Sequence, residues 1–293
     1  MTKIRQTILF IVNPISGGKQ KDKIIEYAKR ILSKNYTLNF TFTEYKGHAS
    51  EIIEREKENV NVIAVIGGDG TVNEVAKCLL KTDISLWIIP QGSGNGLARS
   101  LKINLNYKKN INKYSSMQEH TIDAGKMNGH YFFVTAGIGF DAKVAKEFEN
   151  SPKRGLKNYV RIVIKSFFKS KNLTFTIKDQ FNNTSQVCGI QFSVCNVGQY
   201  GNNFYISPKS SASDGLLEYV AIKKYKYLLM NLYMVIKIMM RKAHKSSNIK
   251  IQSFDSITVS INSNLAHVDG EYFENENKST SFEVCRNVLN VLV

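Results

Sequence analysis

Five residues, Gly67-Gly68-Asp69-Gly70-Thr71, carry the clearest offer of chemistry in the chain. Glycine lets a main chain come close to an anion, and the N–H groups that open a helix have no partners of their own, so the stretch suits phosphate. Asp69 would repel a bare phosphate, and its presence calls for a metal ion or a reacting hydroxyl beside it. Two other loops share this composition. Asn13-Pro14-Ile15-Ser16-Gly17-Gly18-Lys19 adds a serine and a lysine suited to phosphate, and Pro90-Gln91-Gly92-Ser93-Gly94-Asn95-Gly96 is the third. None of them fits G-x-x-x-x-G-K-[ST], or G-x-G-x-x-G with an acidic residue downstream, which excludes the P-loop and the dinucleotide fingerprint.

The second half of the chain supplies carboxylates. Asp214 lies in Ser213-Asp214-Gly215-Leu216, and Asp269 and Glu271 lie in His267-Val268-Asp269-Gly270-Glu271, at the end of a strand. Phosphoryl transfer to an alcohol needs loops that fix the phosphates, Mg²⁺ to offset charge and a base within reach of the hydroxyl. Asp69 and Glu271 are the candidates for the metal-proximal carboxylate and the base. The competing reading for each acid is a turn residue, because Asp-Gly is itself a turn signal.

Such loops must be held by what flanks them. Val62 to Ile66 is an unbroken apolar run, as in a buried parallel strand, and Val72, Val75, Ala76, Leu79 and Leu80 recur at helical spacing. Ile8 to Val12 and Leu86 to Ile89 repeat the pattern before the other two loops, and Leu38 to Thr43 alternates like a strand. Repeated β-turn-α units predict a parallel sheet with helices on both faces, whose loops converge at the carboxyl ends of the strands. Near residue 120 the pattern changes. Thr121 to Lys126 and Tyr131 to Ala136 flank Asn128-Gly129, a hairpin signal, and strands follow at about 172–178, 186–195, 216–222, 249–252, 256–261 and 265–268. The expected organisation is an α/β nucleotide-binding domain over 1–123, joined by a returning segment 286–293, and a β-rich, sandwich-like domain over 124–285.

The chain of 293 residues carries a formal charge of +16, so its partner should be anionic: nucleic acid, an acidic membrane surface or a phosphorylated substrate. No zinc module, RNP-like aromatic motif or helix-turn-helix accompanies the charge, and nucleic acid is not expected. The four cysteines lack metal-binding spacing and read as reduced thiols. The apolar run near the N-terminus is too short for a signal peptide, and no stretch is long enough to span a bilayer. Between Pro152 and Lys178 there is no acidic residue, and Arg154, Lys157, Arg161, Lys165 and Lys169 form one helical stripe suited to anionic headgroups. Leu156, Tyr159, Val160, Val163, Ile164 and Phe167 lie opposite; the competing reading is a solvated basic face over a packed apolar one. Tyr225 to Met240 is apolar nearly all round, holds four methionines and is expected to lie mostly in the core.

These motifs, in this order, resemble the diacylglycerol kinase catalytic-domain superfamily, which includes bacterial lipid kinases and sphingosine kinases. The resemblance rests on Asn13-Pro14 with Gly17, Gly67 to Thr71 with Asn73-Glu74, Pro90 with Gly92 to Asn95 and Leu97-Ala98, Asp123-Ala124-Gly125, Gly139-Phe140-Asp141-Ala142, Asp214-Gly215-Leu216 and Asp269-Gly270-Glu271. It implies an ATP- and Mg²⁺-dependent kinase acting on a lipid hydroxyl, with its active site in a cleft between an α/β and a β-rich domain. It implies ATP contacts at Asn13, Pro14, Ile15, Ser16, Gly17, Thr43, Gly67, Gly68, Asp69, Gly70, Thr71, Val72, Asn73 and Ser93. It also implies a structural Mg²⁺ at Ser211, Asp214 and Leu216, a general base at Glu271, and Asp123 and Asp269 within the catalytic set. A membrane lipid is then the substrate and an anionic membrane the partner of a cytoplasmic, peripherally bound protein; a homodimer stays open. Two positions depart from the pattern: Gly96 stands where bacterial diacylglycerol kinases carry aspartate, and Ser213 where an acid often precedes Asp-Gly. The Gly92 to Asn95 loop is closer to the sphingosine-kinase form. The alternatives are a soluble NAD kinase or phosphofructokinase-type enzyme, which shares Gly-Gly-Asp-Gly, and a catalytically silent member.

Overall fold

Residues 5–18, 21–152, 156–202, 204–261, 264–275, 277 and 279–293 are described by the computed structural model. Lys19 and Arg154, singled out above, lie outside the described residues. The chain divides into two units, Met1–Ile122 with Asn287–Val293, and Asp123–Arg286.

In the first unit β1 (Thr7–Val12), α1 (Lys21–Leu32), β2 (Thr37–Phe42), α2 (His48–Glu56), β3 (Val62–Gly67), α3 (Asp69–Cys78), β4 (Ser85–Pro90), α4 (Gly96–Ser100) and α5 (Tyr107–Lys113) follow one another. The strands pair in parallel in the order β2-β1-β3-β4, with Phe10 beside Ala64 and Ala64 beside Trp87. β3 and β4 are buried along their whole length, as apolar strands covered on both faces must be. Phe10 stacks on Phe40 and meets Trp87 edge-on. The Trp87 indole N–H donates to Asn110 Oδ1 at 2.8 Å, so the largest buried side chain keeps its one polar group satisfied.

The chain passes from one unit to the other within two strands, β5 (Glu119–Met127) and a long C-terminal strand. The second unit holds β6 (His130–Phe132), β7 (Thr135–Gly139), α6 (Phe140–Glu149), α7 (Leu156–Lys169), β8 (Leu173–Asp179), β9 (Thr184–Gly189), β10 (Gln191–Cys195), β11 (Leu217–Ile222), α8 (Leu228–Met239), β12 (Ile249–Phe254), β13 (Ser256–Ser260), β14 (Leu265–Val268) and β15 (Glu271–Glu274). The long strand, β16 (Ser279–Leu292), ends beside β4, Val291 pairing with Leu86 in parallel. One antiparallel sheet runs β12-β11-β10-β7-β14-β15; the first residues of β16 pair with β13, which pairs with β8 and then β9. Phe192, Tyr219 and Ala266 from the first set share a core with Phe175, Val259 and Phe282 from the second, which makes this unit a β-sandwich.

Three expectations needed correction. Residues 186–195 form two strands: Ile190 donates to Ile222 O at 2.7 Å and accepts from Phe140 N–H at 3.0 Å, so β9 pairs with β8 while β10 joins the other sheet. An even apolar run does not reveal that the strand changes sheets. Residues 131–136 are likewise broken at Phe133-Val134, for a reason given below. Thirdly, α8 is not a core helix: Asn231, Met234 and Ile238 are its buried residues and the rest of its apolar surface faces solvent. On α7 the burial falls on Ile162 and Ser166, whereas Tyr159, Val160, Ile164 and Phe168 are exposed.

Candidate active site

At the carboxyl ends of β1, β3 and β4 the three glycine-rich loops are joined to one another. Asn13 donates from its main chain to Ile66 O at 3.0 Å and from Nδ2 to Thr71 Oγ1 at 2.8 Å, fastening the first loop to the second. Gln91 N–H donates to Gly67 O at 2.7 Å, fastening the third to the second. Asp69 completes the set, its carboxylate accepting from the N–H groups of Asn95 at 2.7 Å and Gly96 at 2.6 Å. Gly96, where the related pattern has aspartate, thus serves through its main chain.

Several of the glycines are spent on this closeness rather than on a ligand. A Cβ on Gly92 would lie 2.8 Å from Gly68 Cα, and Gly17, at φ +68°, would collide with Gln91. Gly70 differs: it is exposed in the first turn of α3, with nothing within 4 Å of where a Cβ would stand. That first turn, whose N–H groups lack intrahelical partners, is where an anion can approach. Pro14, Ile15, Gly17 and Ser93 are exposed, Ser16, Gly68 and Asp69 half-buried, and Gly67, Thr71, Val72 and Asn73 buried beneath them. Thr43, buried just past β2, donates its N–H to Val12 O at 2.9 Å, which sets it beside the start of the first loop.

Sequence reasoning passed over Lys21. Its ammonium group lies 3.3 Å from Ser16 Oγ, the residue is 6% exposed, and burial lowers its pKa from 10.5 to about 8. A partly desolvated cation beside such a loop is able to pair with an anion held there. The lysine stands at the first position of an amphipathic helix; only its place after a glycine-rich loop, not its type, could have marked it.

In the second unit Asp269 and Gly270 form the two-residue turn between β14 and β15, both with positive φ (+48° and +84°), as a type I′ hairpin requires. The Asp269 carboxylate accepts from Phe133 N–H at 2.8 Å, Val134 N–H at 2.8 Å and Thr135 N–H at 2.9 Å. These are the residues at which the expected strand breaks, and Asp269 is the reason. Glu271, half-buried, opens β15 opposite Val268. His267 Nδ1 accepts from Gly270 N–H at 3.4 Å, and its Nε2 lies 3.1 Å from Asp141 Oδ2, which also accepts from Ser193 Oγ at 2.5 Å. Asp141 and His267 both stood in quoted motifs, but nothing in the sequence joined them. Burial, reinforced by the Asp141 charge, pushes the neighbouring Tyr200 hydroxyl well above its usual pKa.

Asp123 is 1% exposed; its Oδ2 accepts from Gly215 N–H at 2.8 Å and its own N–H donates to Ala212 O at 2.6 Å. It therefore braces the 211–216 turn, which carries Ser211, Asp214 and Leu216. Asp214 is exposed and accepts from Leu216 N–H at 3.1 Å. Behind it Glu218 is buried and its Oε1 accepts from Ser253 Oγ at 3.3 Å; burial raises its pKa, a hydrogen bond with Ser210 opposes that, and the charge of Asp214 adds to the rise. Carboxylate and main-chain oxygens of the kind this turn carries are the donors that a hard divalent cation takes. Among the described residues no group of three or more His, Cys, Asp or Glu side chains could hold a metal ion. Cys195 is fully buried, and its thiol is pushed well above the usual pKa, which keeps it from serving as a nucleophile.

Glycine loops after parallel strands lead into a β-sandwich, and the comparisons assign this architecture to a family. Residues 7–127 match the family described as the diacylglycerol kinase catalytic domain, and residues 134–293 match the YegS C-terminal NAD kinase beta sandwich-like domain. The chain belongs to the diacylglycerol kinase catalytic-domain family, in the form that carries a YegS-type C-terminal domain. A Streptococcus pneumoniae protein named "Putative lipid kinase" is 31% identical over 61% of this chain and 62% of its own length. "Probable lipid kinase YegS-like" of Pectobacterium atrosepticum is 30% identical over 72% of each chain. In fold, the chain resembles the crystal structure of a diacylglycerol kinase from Bacillus anthracis, at a TM-score of 0.75 and 18% identity over 99% of this chain and 97% of that one. An NAD kinase from Archaeoglobus fulgidus in complex with ATP is more distant, at 0.54 and 13% over 97% and 92%.

Proposed function

We propose that this protein is an ATP-dependent lipid kinase that moves the γ-phosphate of ATP to the hydroxyl of a membrane lipid, such as a diacylglycerol or a sphingoid base. The observation that carries the reading is the Asp69 carboxylate, which ties the second glycine loop to the third through Asn95 and Gly96 and so sets an open helix N-terminus among three interlocked loops. Such an arrangement holds a chain of phosphates while leaving the terminal one accessible. The lipid acceptor is supported by the family and by the names its relatives carry.

In this reading the first-turn N–H groups of α3, Ser16 and Lys21 bind and orient the phosphates. Glu271 takes the proton of the lipid hydroxyl as its oxygen attacks the γ-phosphorus, and the bond to ADP breaks. Asp269 and His267 hold the turn from which Glu271 projects. Asp69 would be the carboxylate nearest a Mg²⁺ brought with ATP, which would supply positive charge against the phosphates, and Asp214 with the main chain of Ser211 and Leu216 would hold a second ion. Lys157, Arg161, Lys165 and Lys169, all exposed on α7, meet anionic headgroups on the cytoplasmic side, where ATP is found. Among the described residues no helix is long and apolar enough to cross a membrane.

The test is incubation with γ-labelled ATP, Mg²⁺ and diacylglycerol, monoacylglycerol, sphingoid base or ceramide in mixed micelles, with NAD as the soluble control. Label in one lipid class is expected. Label in NAD alone would overturn the proposal in favour of an NAD-kinase-type activity.

A further inference from the structure

Helix α8 is apolar nearly all round, Asn231 and Lys237 being its two polar residues, yet one side only is covered. Met234 and Ile238 pack with Val220, Ile222 and Ile249. On the far side Leu229, Tyr233, Ile236 and Met240, at i, i+4, i+7 and i+11, form a crest that is 79, 60, 51 and 56% exposed. A surface helix of a globular domain carries polar residues there, and an apolar crest of this size marks a docking surface.

Charge says what docks. From Tyr219 to Phe254 the chain has no acidic residue; Lys223, Lys224 and Lys226 lead into the helix, and Arg241, Lys242 and Lys245 follow it. A second copy of this chain would set one basic rim against another in a molecule of charge +16. An anionic bilayer is complementary to both parts, its acyl chains to the crest and its headgroups to the rim. Lys237 lies 4.6 Å over the Tyr233 ring and Lys226 5.8 Å over that of Tyr227, pairings of aromatic body and cationic tip that suit the interface. At 12 residues the helix is about 18 Å long, too short to span and suited to lie in the membrane plane. Its entry is fixed by Asn231, which accepts from Tyr225 N–H at 2.9 Å and donates to Tyr227 O at 2.9 Å. Lys224 donates to Phe167 O at 2.8 Å, so the approach to α8 is tied to the end of α7, where Phe168 is also exposed.

We propose that α8 is an in-plane membrane anchor whose crest inserts among the acyl chains of an anionic bilayer, with the basic stripe of α7 supplying attraction rather than insertion. The proposal rests on the lipid-kinase reading and names the surface by which that enzyme meets its substrate. Sedimentation of the full chain with phosphatidylglycerol–phosphatidylcholine vesicles tests it. The variant L229E/Y233E/I236E is expected to lower the vesicle-bound fraction about tenfold or more, with melting temperature and nucleotide binding as in the parent. Because Trp87, the single tryptophan, is fully buried, L229W adds a reporter whose emission should shift to the blue and be quenched by acyl-brominated lipids. Parental sedimentation of the triple variant, or a reporter that brominated lipids do not quench, overturns the anchor. Lipid-free dimerisation that the triple variant abolishes assigns the crest to a second copy and overturns it too. Vesicle binding by a parent chain that phosphorylates no micellar lipid would instead sink the kinase reading while leaving the membrane surface in place.

Discussion

Asp69 and Asp269 both stand beside glycine at a turn, both were chosen from sequence as catalytic, and both are half-buried, yet they fasten different things. Asp69 reaches from the first turn of α3 to two N–H groups of the loop after β4, so it holds phosphate-type loops against one another. Asp269 takes three consecutive N–H groups at the point where one strand ends and the next begins, so it holds a hairpin in place and, with it, Glu271. A carboxylate with three main-chain donors has little left to offer a substrate. An aspartate in a glycine turn thus contributes by what it ties together, which leaves Glu271, two residues further on, as the base that the proposed function needs in the second unit.

The largest effect should come from Glu271. Replacement by Gln keeps size and hydrogen bonding but removes the base, and kcat is expected to fall by about 10² to 10⁴ with ATP affinity and melting temperature unchanged. Turnover within a few-fold of the parent would return the base to Asp269 or Asp123 and break the comparison.

Next in size is the paired substitution of the two aspartates. Asp269→Ala leaves three main-chain donors without their acceptor and is expected to cost about 2–4 kcal/mol, read as a lower urea midpoint, with turnover lost as Glu271 shifts. Asp69→Ala frees two N–H groups, those of Asn95 and Gly96, against the three that Asp269 serves, so the stability loss should be smaller, about 1–2 kcal/mol, while ATP binding weakens markedly. Equal stability losses in the two variants would erase the distinction between a loop clamp and a strand anchor.

Periodicity and glycine placement made the α/β-then-sandwich fold readable in the sequence. Val62 to Ile66 and Leu86 to Ile89 could hardly be anything but covered parallel strands, and the glycine loops fell after them. Three things stayed hidden because they depend on partners remote in sequence. The break at Ile190 is decided by Ile222, the break at Phe133 by Asp269, and each looks like plain strand when read locally. The exposure of α8 is decided by how little packs over it, and an all-apolar helix looks the same whether it lies in a core or on a surface. Several loop glycines read as an opening for phosphate are occupied by neighbouring loops, with Gly92 against Gly68 and Gly17 against Gln91.

Lys21 gives the smallest expected effect and extends the comparison to the first loop, because it asks whether the side held by Asp69 carries its own charge for phosphate. Burial lowers its pKa from 10.5 to about 8, so the folded chain gives up this proton before the unfolded chain does. Between those values the unfolded state binds more protons, and the contribution of this group to stability rises with pH across that window; below it the full cost of burying the ammonium group is present. Nucleotide binding runs the other way, since phosphate is attracted to the charged form alone. ATP affinity is therefore expected to decline as pH rises from about 7 to about 9, by a few-fold, whereas Lys21→Met should be weaker at pH 7 and nearly flat over the same range. Calorimetric titration with ATP across this range reads both. A parent profile without slope, or the same slope in the methionine variant, would take Lys21 out of the phosphate site and leave the loops to hold the anion by their main chain.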